Sequence, residues 1–258
     1  MIGALRMVDS SLNPESWILN PRLRKNADLS KTNWFRVGGP AQWLFRPEDV
    51  NDLSVFLSQL PRDIPVTILG VGSNVIVRDG GIDGVVIKLG RGFTQMSTLS
   101  PRERGGASLG EGVSNRRGPH PNLLPEGEGI EAGAACLDLN VAQFACENAL
   151  AGLEFLSGIP GTIGGAVRMN GGAYGSDTSQ ILVEAEMVER DGKIRVLGNQ
   201  ACGFSYRYSS LPEGAIVTKA VFKVQMGDKE AIAKKNARHY ACARGNSARA
   251  LAHRWQYI

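Results

Sequence analysis

The stretch Gly158-Ile159-Pro160-Gly161-Thr162-Ile163-Gly164-Gly165-Ala166 places four glycines in eight positions around one proline. Glycine lets backbone approach a ligand closely and reach positive φ. Proline fixes φ and removes a donor. The run therefore specifies a rigid irregular loop, and taken alone it also fits a packed turn or a crossover. Gly172-Ala173-Tyr174-Gly175 follows soon after. A second loop, Gly70-Val71-Gly72-Ser73-Asn74, stands directly behind the short apolar run Val66 to Leu69. A strand running into Gly-x-Gly aligns backbone N–H groups able to hold a pyrophosphate, with a plain turn as the alternative. No third glycine opens a helix there, which disfavours a Rossmann site. Two such loops, each behind an apolar segment, point to one dinucleotide held between two lobes. The candidate cofactor-binding residues are Gly70, Val71, Gly72, Ser73, Asn74, Gly158, Ile159, Pro160, Gly161, Thr162, Gly164, Gly165, Ala166, Gly172, Tyr174 and Gly175.

Outward from these loops the chain reads as short α+β elements. Residues 33–46 read as strands broken at Gly38-Gly39-Pro40. Val50, Leu53, Phe56, Leu57 and Leu60 recur at helical spacing behind Pro47-Glu48-Asp49. Val75 to Val77 and Gly84 to Leu89 read as strands around an Asp79-Gly80-Gly81 turn. Ile130 to Cys136 is apolar, and Asp138 is placed to cap a helix with Val141, Phe144 and Ala145 on its inner face. Ile181 to Glu189 and Lys193 to Leu197 form a hairpin around Asp191-Gly192. Ile216 to Met226 is a further strand.

Composition excludes several classes. With 43% hydrophobic and 21% charged residues the 258-residue chain buries a core. No stretch approaches 18 consecutive apolar residues, and no basic-then-apolar leader opens the chain, so neither a membrane span nor a secretory signal is expected. Cys136, Cys146, Cys202 and Cys242 show no metal-ligand spacing, so no metal is expected, and they read as reduced cytoplasmic thiols. The formal charge of +4 is uneven. No Asp or Glu follows Glu230, while six Lys and Arg residues do. A basic tail is the usual mark of a nucleic-acid or acidic-membrane partner. Residues 100–129 hold seven Gly, four Pro and four Arg, with no apolar period. Such a segment buries too little apolar surface to offset the entropy of ordering.

The segments NWFRVGGPA (33–41), LGVGSNVIVRDGGIDGVVI (69–87), GLEFLSGIPGTIGGAVRMNGGAYG (152–175) and FSYRYSS (204–210) together resemble the UDP-N-acetylenolpyruvoylglucosamine reductase family. The resemblance runs from about Leu29 to about Lys235, outside residues 100–129. It implies a two-subdomain FAD-binding fold of the vanillyl-alcohol-oxidase type, with FAD on the loops Gly70–Asn74 and Gly158–Gly165. It further implies NADPH as reductant and a UDP-sugar enolpyruvyl ether as substrate, in peptidoglycan precursor synthesis. The family's substrate-facing arginine follows a tyrosine in a motif like Phe204-Ser205-Tyr206-Arg207, so Arg207 is the expected catalytic residue.

The family's proton-donating serine and its glutamate have no counterpart in this sequence. Both belong to a third, substrate-binding subdomain that is expected to be missing. The codons permitted for His253 to Ile258, read one base later, give Thr-Gly-Gly-Ser-Thr, which resembles the family's serine motif. Lys234-Lys235-Asn236 permits a run of adenines. Residues 236–258 are accordingly expected to be an out-of-frame tail and not a nucleic-acid partner site. The expected organisation is an N-terminal extension (1–28), FAD subdomain 1 (29–98), a disordered insertion (99–129), FAD subdomain 2 (130–235) and the tail. The alternatives are a non-catalytic FAD-binding remnant, a different oxidoreductase of the same flavin fold, and a basic-tailed nucleic-acid binder.

Overall fold

The computed structural model describes residues 16–73, 75–99 and 128–254, with side chains as far as Arg244. The first lobe is a four-stranded sheet with one helix. Strands β1 (Leu23–Asp28) and β2 (Pro40–Phe45) pair antiparallel. Helix α1 (Val50–Gln59) then leads to β3 (Val66–Ile68) and β4 (Ile82–Ile87), and the sheet order is β1-β2-β4-β3. β2, β4 and β3 run parallel, which requires crossover connections. β1 lies inside the segment read as an N-terminal extension, yet it is a full member of this sheet.

Helix α1 forms where its spacing predicts. The Asp49 carboxylate accepts from the Asp52 amide at 2.8 Å and caps the first turn. Leu53, Phe56 and Leu57 are buried on one face, and Phe56 stacks on Phe45 with ring centroids 3.8 Å apart. Val75 to Val77 is not a strand. Val75 and Ile76 stay exposed while only Val77 enters the core, because the turn at Gly72 carries the chain off the sheet. Residues 33–37 are likewise irregular. The Asn33 amide donates to the carbonyls of both Leu29 and Val37 and closes them into a loop.

The second lobe is antiparallel. β5 (Met96–Leu99), β6 (Glu128–Gly133), β10 (Leu182–Val188), β11 (Ile194–Gly198) and β12 (Ile216–Met226) take the order β11-β10-β12-β6-β5. The intervening elements are α2 (Asp138–Glu147), β7 (Leu150–Ala151), α3 (Ile163–Arg168), β8 (Gly172–Ala173), β9 (Ser176–Asp177) and α4 (Thr178–Ile181). Leu99 sits opposite Gly129 in the β5–β6 ladder, so the expected insertion begins and ends within one hairpin. Residues 100–127 of it lie outside the described residues. All four cysteines are free thiols, and burial pushes the Cys202 thiol up to about 11.

Helix α5 (Lys229–Arg254) crosses Lys235 without a break. Asn236 is buried, donating to the Ala142 carbonyl at 3.1 Å, while its own carbonyl accepts from Ser157 Oγ. His239 stacks on Tyr174 with centroids 4.0 Å apart.

The lobes are locked through α1. Val188 and Ile216 of the second lobe share one buried cluster with Phe45, Leu53, Phe56 and Ile87 of the first. Arg190, just past β10, donates to the carbonyls of Leu60 (3.3 Å), Pro61 (2.6 Å) and Ile64 (3.1 Å), which close the C-terminal end of α1. Replacing Arg190 by Met leaves those carbonyls without their donor and is expected to lower unfolding stability by about 2–3 kcal/mol. Arg190→Lys should recover little, because one ammonium does not span three carbonyls. Urea melts of the three proteins check this, and an Arg190→Met midpoint equal to wild type would refute it.

Candidate functional site

The two glycine-rich loops meet face to face across the lobes. β3 delivers Gly70, and a Cβ built there would lie 3.1 Å from Thr162 Oγ1. Ser73 Oγ donates to the Pro160 carbonyl. Gly72 is buried at φ +66°, where a Cβ would strike Asn33, and its carbonyl accepts from the Trp34 amide at 3.3 Å. Only glycine fits that position. Asn74 lies outside the described residues.

On the opposite wall the loop is held by its own backbone. Gly161 donates to the Ile159 carbonyl at 3.0 Å, and Gly164 donates to the Ala134 carbonyl at 2.9 Å. Gly158 admits the Tyr174 ring where a Cβ would otherwise be. The cleft between the lobes encloses about 410 Å3 and is lined by Gly70, Val71, Thr162, Gly164 and Gly165, among others. Lys88, Arg168 and the strand start at Ala215 to Val217 also line it. Sequence reasoning passed over these last residues. Lys88 follows a wholly apolar run and reads as a solvated strand end, so no local signal marks it.

Some expected residues fall elsewhere. Ala166 is turned into the second lobe, where its carbonyl accepts from Gly171 at 2.7 Å and from Thr178 Oγ1. Gly172 and Gly175 line a separate cavity of about 540 Å3 together with Arg207. Tyr174 lines another of about 960 Å3, with its hydroxyl donating to the His239 carbonyl at 2.8 Å. Arg207 is exposed at φ +55° on the Ser205–Tyr208 bridge, and its guanidinium donates to the Gly172 carbonyl at 3.1 Å. Asn170 fixes that hairpin by donating to the Ser205 carbonyl at 3.0 Å.

Asp138 does not cap α2. Leu137 holds the cap position, drawn into an extended backbone by its bridge to Thr162. Asp138 therefore enters the first helical turn, with its amide donating to Gly161 O at 3.2 Å and its carboxyl fully buried. Neither carboxyl oxygen has a hydrogen-bond partner, and Oδ2 lies against Gly161. Burial pushes this acid from 3.8 up to about 8. The native state then holds a proton that the unfolded chain has released, from the ordinary carboxylate range up to about pH 8. Stability is full below that range and falls as pH rises through it. Asp138→Asn is expected to flatten this decline and to be the more stable protein at pH 8, by on the order of a few kcal/mol. Thermal melts of both proteins from pH 5 to pH 8.5 check it, and parallel curves would contradict it.

Comparison with known proteins bears on what such a cleft holds. A family model described as FAD binding domain matches residues 122–198. The UDP-N-acetylenolpyruvoylglucosamine reductase of Gluconobacter oxydans is 45% identical over 219 residues, 85% of this chain and 63% of that protein. The protein of the same name from Azorhizobium caulinodans is 46% identical over 210 residues, 81% of this chain and 59% of that one. The chain thus spans about three fifths of the length of these curated relatives. Among solved structures, UDP-N-acetylenolpyruvylglucosamine reductase from Thermus caldophilus superposes with TM-score 0.65 at 29% identity, covering 86% of this chain and 70% of that one. A VAO-type flavoprotein of Myceliophthora thermophila matches with TM-score 0.50 at 14% identity over 72% of this chain and 32% of its own, a likeness of fold alone. The α+β architecture of the vanillyl-alcohol-oxidase type expected from the sequence is the one found. By sequence and by fold, over the three fifths of their length that it spans, this chain is similar to the UDP-N-acetylenolpyruvoylglucosamine reductases.

Proposed function

We propose that this chain binds FAD between its two lobes and serves the reduction of UDP-N-acetylglucosamine enolpyruvate to UDP-N-acetylmuramate, with NADPH as reductant, in cytoplasmic peptidoglycan precursor synthesis. The observation that carries the reading is the apposition of Gly70–Ser73 and Gly158–Gly165 across the cleft, with Gly70 and Gly164 so closely approached that a Cβ at either would crowd its neighbour at 3.1 Å. A slender cofactor such as FAD fits a cleft walled by apolar side chains and glycine backbone, where Gly70, Val71, Thr162, Gly164 and Gly165 would hold it. Bound FAD supplies a two-electron carrier between a reduced nicotinamide and a carbon–carbon double bond.

The chain's own residues contribute position and charge. Arg207 has no carboxylate partner among the described residues, and its hydrogen bond to Gly172 holds the guanidinium in the cavity beside β8. In that setting it orients an anionic substrate by charge-assisted hydrogen bonds. A second reading is FAD binding without turnover. One observation favours it: Arg207 opens to solvent away from the inter-lobe cleft. The expected out-of-frame origin of residues 236–258 is decided by the nucleotide sequence across Lys234–Asn236.

The purified chain incubated with FAD should retain a visible flavin spectrum after gel filtration. Gly70→Val should weaken FAD binding by about tenfold or more while the circular dichroism stays native. Arg207→Ala should leave FAD affinity intact and lower NADPH oxidation driven by the UDP-enolpyruvyl sugar. A flavin spectrum without product formation selects the second reading, and no flavin retained at all ends the first.

A further inference from the structure

We propose that Lys88 is an anion-binding residue of the inter-lobe cleft that takes a phosphate of the FAD diphosphate, with Arg168 facing it from the other lobe. The proposal rests on FAD as the occupant of that cleft and assigns its charge recognition to these two side chains.

Lys88 follows β4, whose last residues Val85, Val86 and Ile87 are wholly buried. The backbone pins it, because its amide donates to the Phe45 carbonyl at 3.0 Å. Its ammonium donates to the Thr32 carbonyl at 2.9 Å, which anchors the stem and, among the described residues, leaves two of the three N–H donors without an acceptor. Among the described residues no carboxylate forms an ion pair with Lys88 or Arg168. Burial, with the like charge of Arg46 adding to it, holds the ammonium below the usual lysine range. Among the described residues Arg168 donates to the carbonyls of Leu211 (3.2 Å) and Pro212 (3.4 Å) alone.

A half-buried lysine without a counterion is costly in the free protein. Two such cations line one cavity whose remaining walls are apolar side chains, glycine backbone and Thr162, with no carboxylate among them. An anion entering between them relieves that cost on both sides of the cleft and so binds more tightly than loop amides alone allow. A diphosphate has the charge for two cations. The uncharged isoalloxazine and adenine ends of the cofactor gain nothing from them.

The test compares wild type with Lys88→Met, titrating FAD, riboflavin and inorganic pyrophosphate at low and high salt. Lys88→Met is expected to weaken FAD by about tenfold or more, to flatten the salt dependence of FAD binding and to leave riboflavin binding unchanged. Its cofactor-free melting temperature should match or exceed wild type, which a merely structural lysine would not give. Equal FAD affinity in both proteins overturns the role of Lys88 and leaves the FAD reading standing. Pyrophosphate bound by wild type in a Lys88-dependent way, with no FAD bound, overturns the FAD reading and keeps the anion site. Binding of neither ligand overturns both. If Lys88→Met does not fold, Lys88→Gln and the wild-type titration of pyrophosphate against riboflavin decide the same question.

Discussion

The grip of Arg190 on the carbonyls that close α1 sets the geometry on which the cleft depends. Hydrophobic burial of Val188 and Ile216 beside Phe56 supplies the larger share of the attraction between lobes, but it is non-directional. Three carbonyls arranged around one guanidinium are directional. Across the cleft the tolerances are those of van der Waals contact, as the 3.1 Å approach of Thr162 Oγ1 to a Cβ at Gly70 shows. A small rotation of one lobe would either close that space or separate Ser73 from Pro160. The strength of the remote clamp is therefore matched to the narrowness of the site.

The site also carries unfavourable terms that a plain core would not tolerate. Asp138 is buried with both oxygens unpaired, and Lys88 is half-buried with no carboxylate paired to it among the described residues. Several non-glycine residues near the loops adopt positive φ, among them Asn170, Tyr174 and Arg207. Each departs from what local propensity prefers, and such departures gather where a fold is shaped for a ligand rather than for stability alone.

Much of this was legible in the sequence, and the exceptions have physical causes. α1 and the β10–β11 hairpin follow directly from apolar period and turn residues, because neighbouring elements reinforce what the local pattern prefers. The segment Val75 to Val77 has the β-branched composition of a strand, but the turn at Gly72 carries it off the sheet before it can pair. Asp138 was readable as a helix-start residue. Its position one residue inside the helix comes from the Leu137–Thr162 bridge, a contact between residues distant in sequence. The two glycine loops announced a shared cleft, and they do meet. Gly172, Tyr174 and Gly175 belong to the same glycine-rich region but face other cavities, because α3 and its following turn carry them around the second lobe. Lys88 was illegible for a similar reason. Its setting is made by Thr32 and Phe45 on one side and by the cavity residues from Ala134 onward on the other, all dozens of positions away in sequence.

The order of strands in the second sheet has a consequence for synthesis. Among the described residues β12 is the last strand made, yet it sits between β10 and β6. Until Met226 has emerged from the ribosome, β6 and β5 have no bond to β10 and β11, and the sheet exists only as two separate hairpins. The first lobe waits as well, because Ile216 completes its buried cluster. A nascent chain of this fold thus exposes unpaired strand edges until β12 is made and then closes both lobes in one event. Non-local closure of this kind is slow, and it makes chaperone occupancy during elongation a determinant of how much protein reaches the folded state.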